Sequence, residues 1–272
     1  MQVITSKDNE TIKHIRKLKD KKYRDEFNEY IIEGIRSINE GVAEQAGFKT
    51  IIVCEECVTD GTLDQKLLYE IAKYNCVYVS KPVFSSLTDV VNPQGILAVI
   101  EKKSVTQNID YNTDLMVILD NIQDPGNLGT IIRTIDSIGL TQVILSKGST
   151  DAYSQKVVRS TMGAIFRVNI VECDNLLETI KDIKKNKFKL IATSLNTDTH
   201  IFNYTFEKCA LVVGNEGKGV SEEILKISDD KIKIPMLRKN RKPKCLCCNR
   251  YYFIWVCKTE VEEINWKLVL LN

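Results

Sequence analysis

The sequence predicts an α/β protein of two domains, in which a small α/β domain precedes a larger domain built on a parallel sheet. Three observations carry this prediction. The 272 residues exceed the length of one typical domain. Short apolar runs alternate with helix-like segments, which is typical of parallel sheets covered on both faces. A polar, aperiodic stretch at residues 102–113 separates two such series and is predicted to be a linker.

Composition limits the class of protein. Hydrophobic residues make up 43% of the chain and charged residues 27%, which is typical of a soluble globular protein. The formal charge of +2 is close to neutral, so nucleic-acid binding would need local basic patches. No long apolar run predicts a membrane span, and the first residues do not resemble a secretory signal. Nine cysteines without an export signal favour reduced thiols and a cytoplasmic location.

The first domain, residues 1–101, opens with a predicted helix whose apolar residues Ile12, Ile15 and Leu18 share one face. Ser6 or Asp8 is expected to cap this helix. Residues 7–24 hold eight Lys or Arg against three Asp or Glu. This local excess is typical either of a solvated helix face or of a phosphate-binding face. The strands predicted behind it are the apolar runs TIIVCEE, CVYVSK and ILAVIE, with helices at SINEGVAEQAG and LDQKLLYEIAKYN.

The second domain, from residue 114 to residue 237, contains six strand-like runs with helix-like segments between them. The strands are LMVILDN, QVILS, FRVNIVEC, KLIATSL, CALVVGNE and KIKIPM, and the helices are NLGTIIRTIDSIG, SQKVVRSTMG and NLLETIKDIKKN. In parallel α/β sheets ligands bind beyond the carboxyl ends of the strands. We therefore expect the chemistry of this domain to lie where these runs end.

The first such strand end is LMVILDNIQDPGNLGTIIRT. The strand is predicted to end at Asp120 and a helix to begin near Asn127, which is expected to be its N-cap. Arg133 follows six residues later and is expected in the second helical turn. From this pattern alone, a strand–turn–helix joint with an exposed arginine remains an equal alternative to a functional site.

The second strand end is ALVVGNEGKGVSEEI, where Gly214, Gly217 and Gly219 follow closely on one another. Glycine permits a positive φ and a close approach of the backbone to a ligand. The order G-x-x-G-x-G does not match the dinucleotide fingerprint, and no P-loop motif is present. A simple turn is the alternative, but Glu216 inside the turn indicates a site. The third strand end is KIKIPM, which closes with Pro235 and Met236.

In this order, NIQDPGNLGTIIRTIDSIGL, LVVGNEGKGVSEEI and IPM resemble the three motifs of the SpoU/TrmH family of RNA ribose 2′-O-methyltransferases. The segment STDAYSQKVVRSTMGAIFRV is similar to the family's stretch between motifs one and two, and EGIRSINEG and QGILAVIE resemble the small RNA-binding domain that precedes this fold. The resemblance implies a parallel-sheet α/β domain with a deep trefoil knot. It also implies S-adenosylmethionine as cofactor, a homodimer, and structured RNA, above all ribosomal or otherwise transfer RNA, as substrate.

The resemblance also implies roles for individual residues, and no metal. Arg133 matches the family's catalytic arginine, while Asn127 and Glu216 match the polar positions that orient it and the ribose. Gly214, Ile234 and Met236 match the family's adenosine-binding loop positions, and Thr193, Ser194 and Leu195, which end the preceding strand, are expected to line the same pocket. The residues expected to bind RNA are Lys13, Lys17, Lys21, Lys22, Arg24 and Arg36.

The chain departs from the family after Leu237, where motif three should continue with a Gly and an N-L-N-V-S-V-A-like helix start. The residues from Arg238 to Asn249 can be back-translated so that dropping one base gives G-K-T-E-N-L-N-V-S-V-A. We therefore predict that residues 238–272 are an aberrant, out-of-frame tail. The alternatives are a zinc site at Cys245–Cys248 or at Cys54 and Cys57, and a basic aromatic RNA-binding tail. A frame slip would favour a catalytically impaired, knotted RNA-binding protein over an active enzyme.

Overall fold

The computed structural model describes residues 3–102 and 108–233. Its strands are β1 (Val3–Ile4), β2 (Glu29–Glu33), β3 (Phe48–Cys54), β4 (Cys76–Val79), β5 (Ile96–Glu101), β6 (Leu115–Asp120), β7 (Gln142–Ser146), β8 (Asn169–Cys173), β9 (Lys189–Thr193), β10 (Cys209–Gly214) and β11 (Asp230–Ile232). Its α-helices are α1 (Glu10–Lys17), α2 (Lys21–Phe27), α3 (Ile35–Ala43), α4 (Glu55–Thr59), α5 (Gln65–Ile71), α6 (Lys81–Leu87), α7 (Pro125–Ser137), α8 (Gln155–Thr161), α9 (Leu176–Lys185) and α10 (Glu222–Ile227). Short 3₁₀ turns lie at Ala164–Phe166 and Ile201–Asn203.

The described residues form two compact units. The first contains residues 3–102 together with Asp151–Asn169, and the second contains residues 108–150 and 170–233. Helix α8 therefore packs with the first unit, although it lies within the stretch that the sequence assigns to the second domain. The predicted domain boundaries remain a prediction.

The first unit is built on a five-stranded sheet in the order β1-β4-β3-β5-β2. Strand β4 pairs in parallel with β1 and β3, whereas β5 runs antiparallel to both β3 and β2. The three predicted strands of this domain are confirmed as β3, β4 and β5. Strand β2 was not predicted, because its apolar core Tyr30, Ile31 and Ile32 is only three residues long between two glutamates.

The predicted opening helix is two helices, α1 and α2, joined by a short turn. Ile12, Ile15 and Leu18 are buried on one face as predicted. The N-cap of α1 is Asn9, whose side chain accepts from the Thr11 amide at 2.9 Å, so the prediction of Ser6 or Asp8 was wrong. The Ser6 hydroxyl instead accepts from the amide of Asp8 at 3.2 Å, in the segment that precedes the helix.

The second unit is built on a six-stranded sheet in the order β11-β9-β10-β6-β7-β8. The pairs β11–β9, β9–β10, β10–β6 and β6–β7 are all parallel, which confirms the predicted parallel sheet. Each of the six predicted strands is present, although the last residues of KIKIPM lie outside the described chain. Apolar side chains from the strands and from α9 and α10 form one buried core, including Ile118, Ile144, Ile180, Val212 and Ile224. This core holds the strand ends at fixed positions.

Arg24 is a buried structural residue of the first unit. Its guanidinium donates to the main-chain oxygens of Leu18 and Lys19 at 2.7 and 2.6 Å, and Nε donates to the Asp151 carboxylate at 2.9 Å. The side chain is only 6% exposed. An RNA-binding role for Arg24 remains a prediction, although the donors of this side chain are already used to hold the turn between α1 and α2.

In the part of the chain that the structure describes, no helix has the length and apolar character needed to cross a membrane.

Arg24→Met is expected to lower the free energy of unfolding by about 3–5 kcal/mol, because it leaves the buried carboxylate of Asp151 without its cation. Urea denaturation measures this difference. The matched control is Lys13→Met, which removes an exposed pair with Glu10 and should cost about 1 kcal/mol or less. Equal losses in the two variants would contradict a structural role for Arg24.

Candidate active site

The parallel register of the second sheet brings the predicted motifs to one edge. Gly214 at the end of β10 is paired with Asp120 at the end of β6, and Ile232 at the end of β11 is paired with Thr193 at the end of β9. Because all these strands run in the same direction, the loops that follow them leave the sheet side by side. Residues from three distant parts of the sequence therefore meet there.

Helix α7 begins directly beyond the end of β6. Asp124 is its N-cap and accepts from the amide of Asn127 at 2.7 Å, while Pro125 occupies the first helical position. The prediction that Asn127 caps this helix was wrong. Asn127 instead lies in the first turn, where its side-chain amide is directed to another partner. Proline suits the first position because its fixed φ is helical and no amide proton is needed there.

The partner of Asn127 is the carboxylate of Glu216, which follows β10. Oε1 of Glu216 accepts from the side-chain amide of Asn127 at 3.0 Å and from the Asp124 amide at 3.3 Å. Oε2 accepts from the amide of Gln123 at 3.3 Å. A carboxylate at a helix N-terminus is favoured by the unpaired amides and the helix dipole. The structure thus brings two of the three predicted catalytic residues into direct contact.

A tight turn holds Glu216 in this position. The main chains of Asn215 and Gly219 exchange two hydrogen bonds of 3.0 and 2.9 Å, and Gly219 has a positive φ of 77°. The side chain of Asn215 accepts from the amides of Gly217 and Lys218 at 2.9 and 3.0 Å and donates to the Asn121 carbonyl at 2.8 Å. Asn215 was not among the predicted site residues, although an asparagine before such a turn is a known signal.

Arg133 lies in the third turn of α7, rather than in the predicted second turn, because the helix begins at Pro125. Its side chain is exposed. Among the residues that the structure describes, no hydrogen bond or ion pair joins it to Asn127, to Glu216 or to any other group. The guanidinium therefore keeps all its donors for an external ligand.

The residues predicted at the cofactor lie at the adjacent strand ends. The amide of Ser194 donates to the carbonyl of Ile232 at 3.0 Å, and Leu195 is 67% exposed directly after β9. Gly214 is buried against the backbone of Gly219 and Val220. An exposed apolar side chain beside such strand ends fits an adenosine-containing ligand, which needs apolar surface and main-chain hydrogen bonds. Ile234 and Met236 lie outside the described residues.

The basic residues predicted to bind RNA differ in whether their charge is paired with a carboxylate. Lys13 pairs with Glu10 at 3.0 Å and Lys21 with Asp25 at 2.9 Å, both at exposed positions. Lys17, Lys22 and Arg36 are exposed and make no ion pair within the described chain. These three are therefore the predicted residues whose charge is least neutralised.

The pair Cys54 and Cys57 is buried and both thiols are free. Burial raises the pKa of Cys54 to about 12, which disfavours the thiolate that zinc would need. Within residues 3–102 and 108–233, no group of three or more His, Cys, Asp or Glu side chains could hold a metal ion. Cys245, Cys247 and Cys248 lie outside the described residues.

Comparison with known proteins gives two family matches. The SpoU rRNA Methylase family matches residues 114–242, and the MRM3-like substrate binding domain matches residues 9–98. The chain is 32% identical over 240 residues to the 23S rRNA (guanosine(2553)-2′-O)-methyltransferase of Bacillus subtilis, covering 87% of this chain and 91% of the relative.

Solved structures agree with this result. An AdoMet-bound rRNA methyltransferase from Sinorhizobium meliloti has a TM-score of 0.80 at 25% identity, covering 96% of this chain and 98% of its own. The SpoU methyltransferase AviRb from Streptomyces viridochromogenes, in complex with AdoMet, has a TM-score of 0.83 at 21% identity, covering 94% of this chain and all of its own. The second likeness shows the fold alone.

Gly214→Ala is expected to displace the turn that holds Glu216, because the added Cβ would lie 2.1 Å from the backbone of Gly219 and Val220. Backbone atoms cannot yield as a flexible side chain can, so the melting temperature should fall by several degrees. The matched control is Gly217→Ala, whose Cβ would meet only the Asn215 side chain at 3.6 Å. A Gly214→Ala protein that melts with the control would show that the turn is not packed as described.

Proposed function

The chain belongs to the SpoU rRNA methylase family, and we propose that it transfers a methyl group from S-adenosylmethionine to a ribose 2′-hydroxyl of ribosomal RNA. The observation that carries the proposal is the contact between Asn127 and Glu216. It joins the family's first and second motifs at the carboxyl ends of two parallel strands. The Bacillus subtilis relative acts on ribosomal RNA by its name, and a match to a substrate binding domain covers residues 9–98.

The cofactor would be held by Thr193, Ser194, Leu195 and Gly214 at the ends of β9 and β10, and by Ile234 and Met236 beyond the described residues. When bound, S-adenosylmethionine supplies a methyl group on a positively charged sulfonium. The chain's part would then be to place the ribose hydroxyl in line with this group and to stabilise the oxygen as its proton passes to solvent water, with the neutral thioether as leaving group. Leu195 supplies exposed apolar surface for the adenosine, and Gly214 lets the turn approach closely.

Arg133 provides the charge for the reaction. The Arg133 side chain is exposed and offers a planar fork of N–H donors. Arg133 therefore acts as a donor that stabilises the developing alkoxide or holds the neighbouring phosphate. Asn127 and Glu216 fix the start of α7 and thereby the position from which Arg133 projects. These three assignments belong to the proposal.

A homodimer, the trefoil knot and a cytoplasmic location also belong to the proposal, and the family resemblance is what supports them. The alternative of a catalytically impaired RNA-binding protein has no support among the comparisons.

Arg133→Lys is expected to reduce methyl transfer to ribosomal RNA about 100-fold or more, because lysine keeps the charge but loses the planar fork of donors. Transfer of a radiolabelled methyl group measures the rate, and calorimetry measures cofactor binding, which should stay near that of the wild type. Ser137→Ala is the control, since it changes an exposed residue one turn further along α7 without altering charge. Turnover of the lysine variant at the wild-type rate would contradict the catalytic role.

The tail after Leu237 lies outside the described residues, and its frame slip remains a proposal. The observation behind it is the departure of residues 238–272 from the family's third motif. Removing one base near codon 238 is expected to give a chain whose melting temperature rises more on adding S-adenosylmethionine than that of the chain as written, because a complete pocket binds more tightly. Paired melting curves measure this. Equal stabilisation of both chains would mean that the written tail supplies the missing part of the pocket.

A further inference from the structure

A row of rings and lysines lies on the α1–α2 pair of the first unit, and we name it the aromatic–lysine ridge (His14, Lys17, Lys22, Tyr23 and Phe27). The rings of Tyr23 and Phe27 are 6.0 Å apart and within 16° of parallel, and the ring of His14 is 4.7 Å from that of Phe27. The ammonium groups of Lys17 and Lys22 each lie 5.6 Å from the centre of the Tyr23 ring.

The ridge is accessible to a ligand. Lys17 and Lys22 are exposed, the rings of Tyr23 and Phe27 are partly exposed, and the His14 side chain is 38% exposed. A Tyr–Phe pair four residues apart is by itself an ordinary way to stabilise a helix. That explanation does not account for the third ring from another helix or for the two lysines without carboxylate partners in the described chain.

The ridge is also held rigidly. Arg24 fixes the turn between α1 and α2 through the carbonyls of Leu18 and Lys19. The His14 ring is oriented by a 2.6 Å contact between its Nε2 and the Glu29 carboxylate. A surface that is ordered before binding loses little conformational entropy when a ligand arrives.

We propose that the aromatic–lysine ridge binds an unpaired segment of the RNA substrate. Bases stack on the rings of Tyr23 and Phe27, while the ammonium groups of Lys17 and Lys22 move from the Tyr23 ring to the flanking phosphates. Ring stacking beside a basic track is how proteins bind single strands without sequence preference. Paired bases in an A-form helix are stacked on one another, so their faces are closed to protein rings. The proposal rests on the proposed function, which supplies RNA as the ligand.

The test compares binding of the full chain to a labelled single-stranded RNA and to the duplex that this strand forms with its complement. Tyr23→Leu should weaken single-strand binding about tenfold, and Tyr23→Phe should bind as the wild type does, because it keeps the ring. The matched control is Tyr69→Leu, which removes a tyrosine that is 84% exposed in the same unit and has no lysine or ring contact within the described chain. It should leave binding unchanged.

Two further readouts separate stacking from simple charge attraction. A 2-aminopurine base in the single strand should lose fluorescence on binding to the wild type and keep it with Tyr23→Leu. Lys17→Gln and Lys22→Gln should each reduce the salt dependence of single-strand binding by about 0.7 in the logarithmic slope. These lysine variants, at exposed positions, test the ridge even where Tyr23→Leu fails to fold.

The proposal is contradicted if Tyr23→Leu binds single-stranded RNA as tightly as Tyr69→Leu does. It is also contradicted if Tyr23→Leu weakens duplex binding as much as single-strand binding. The proposal is also contradicted if polyglutamate displaces the RNA equally well from the wild type and from Tyr23→Leu. Methyl transfer to ribosomal RNA is followed in parallel. If methyl transfer persists and Tyr23→Leu does not change RNA binding, only the ridge proposal is rejected. If bases stack on the ridge but the frame-restored wild type transfers no methyl group, the proposed function is rejected and the ridge proposal is retained.

Discussion

One carboxylate ties the candidate site together. Glu216 follows β10 but accepts from the amides of Gln123 and Asp124 and from the Asn127 side chain, all of which follow β6. Such hydrogen bonds to a charged group contribute about 1.5–3 kcal/mol each when buried, and less where water reaches them, as it does here. Their main effect is geometric, because they lock the start of α7 against the turn after β10. The register that pairs Gly214 with Asp120 makes this possible.

The apolar runs were enough to predict the six strands of the second sheet and its parallel pairing, because a strand buried on both faces has no other pattern. The strand ends also indicated where the motif residues would lie, whereas their roles come from the family resemblance and remain predictions. The error at the start of α7 came from choosing between Asp124 and Asn127, both good N-cap residues. Pro125 would have decided it, because proline favours the first helical position and so places the cap one residue earlier.

Long-range pairing explains why the burial of Arg24 was not predicted. Arg24 and Asp151 are separated by 127 positions, and nothing in the local sequence distinguishes this arginine from the exposed lysines around it. The basic excess of residues 7–24 therefore overstates the charge available to RNA, since Arg24 is buried and Lys13, Lys19 and Lys21 have carboxylate partners. The grouping of Asp151–Asn169 with the first unit has the same origin. Side-chain pairing between segments that are distant in the sequence cannot be predicted from local hydropathy.

In the proposed reaction, Arg133 and Glu216 would serve one site without pairing with each other. Glu216 and Arg133 would neutralise each other if they met, and the arginine would then have fewer donors for a developing negative charge. The N-terminus of α7 disfavours this pairing, because the amides of Gln123 and Asp124 and the Asn127 side chain already donate three hydrogen bonds to the carboxylate. Arg133 projects from the third turn of the same helix, two turns further on, with no described partner. Helix α7 thus holds the Glu216 carboxylate at its N-terminus and carries the unpaired guanidinium of Arg133 on an exposed face. The same helix fixes the start of the site and leaves a positive charge available to RNA.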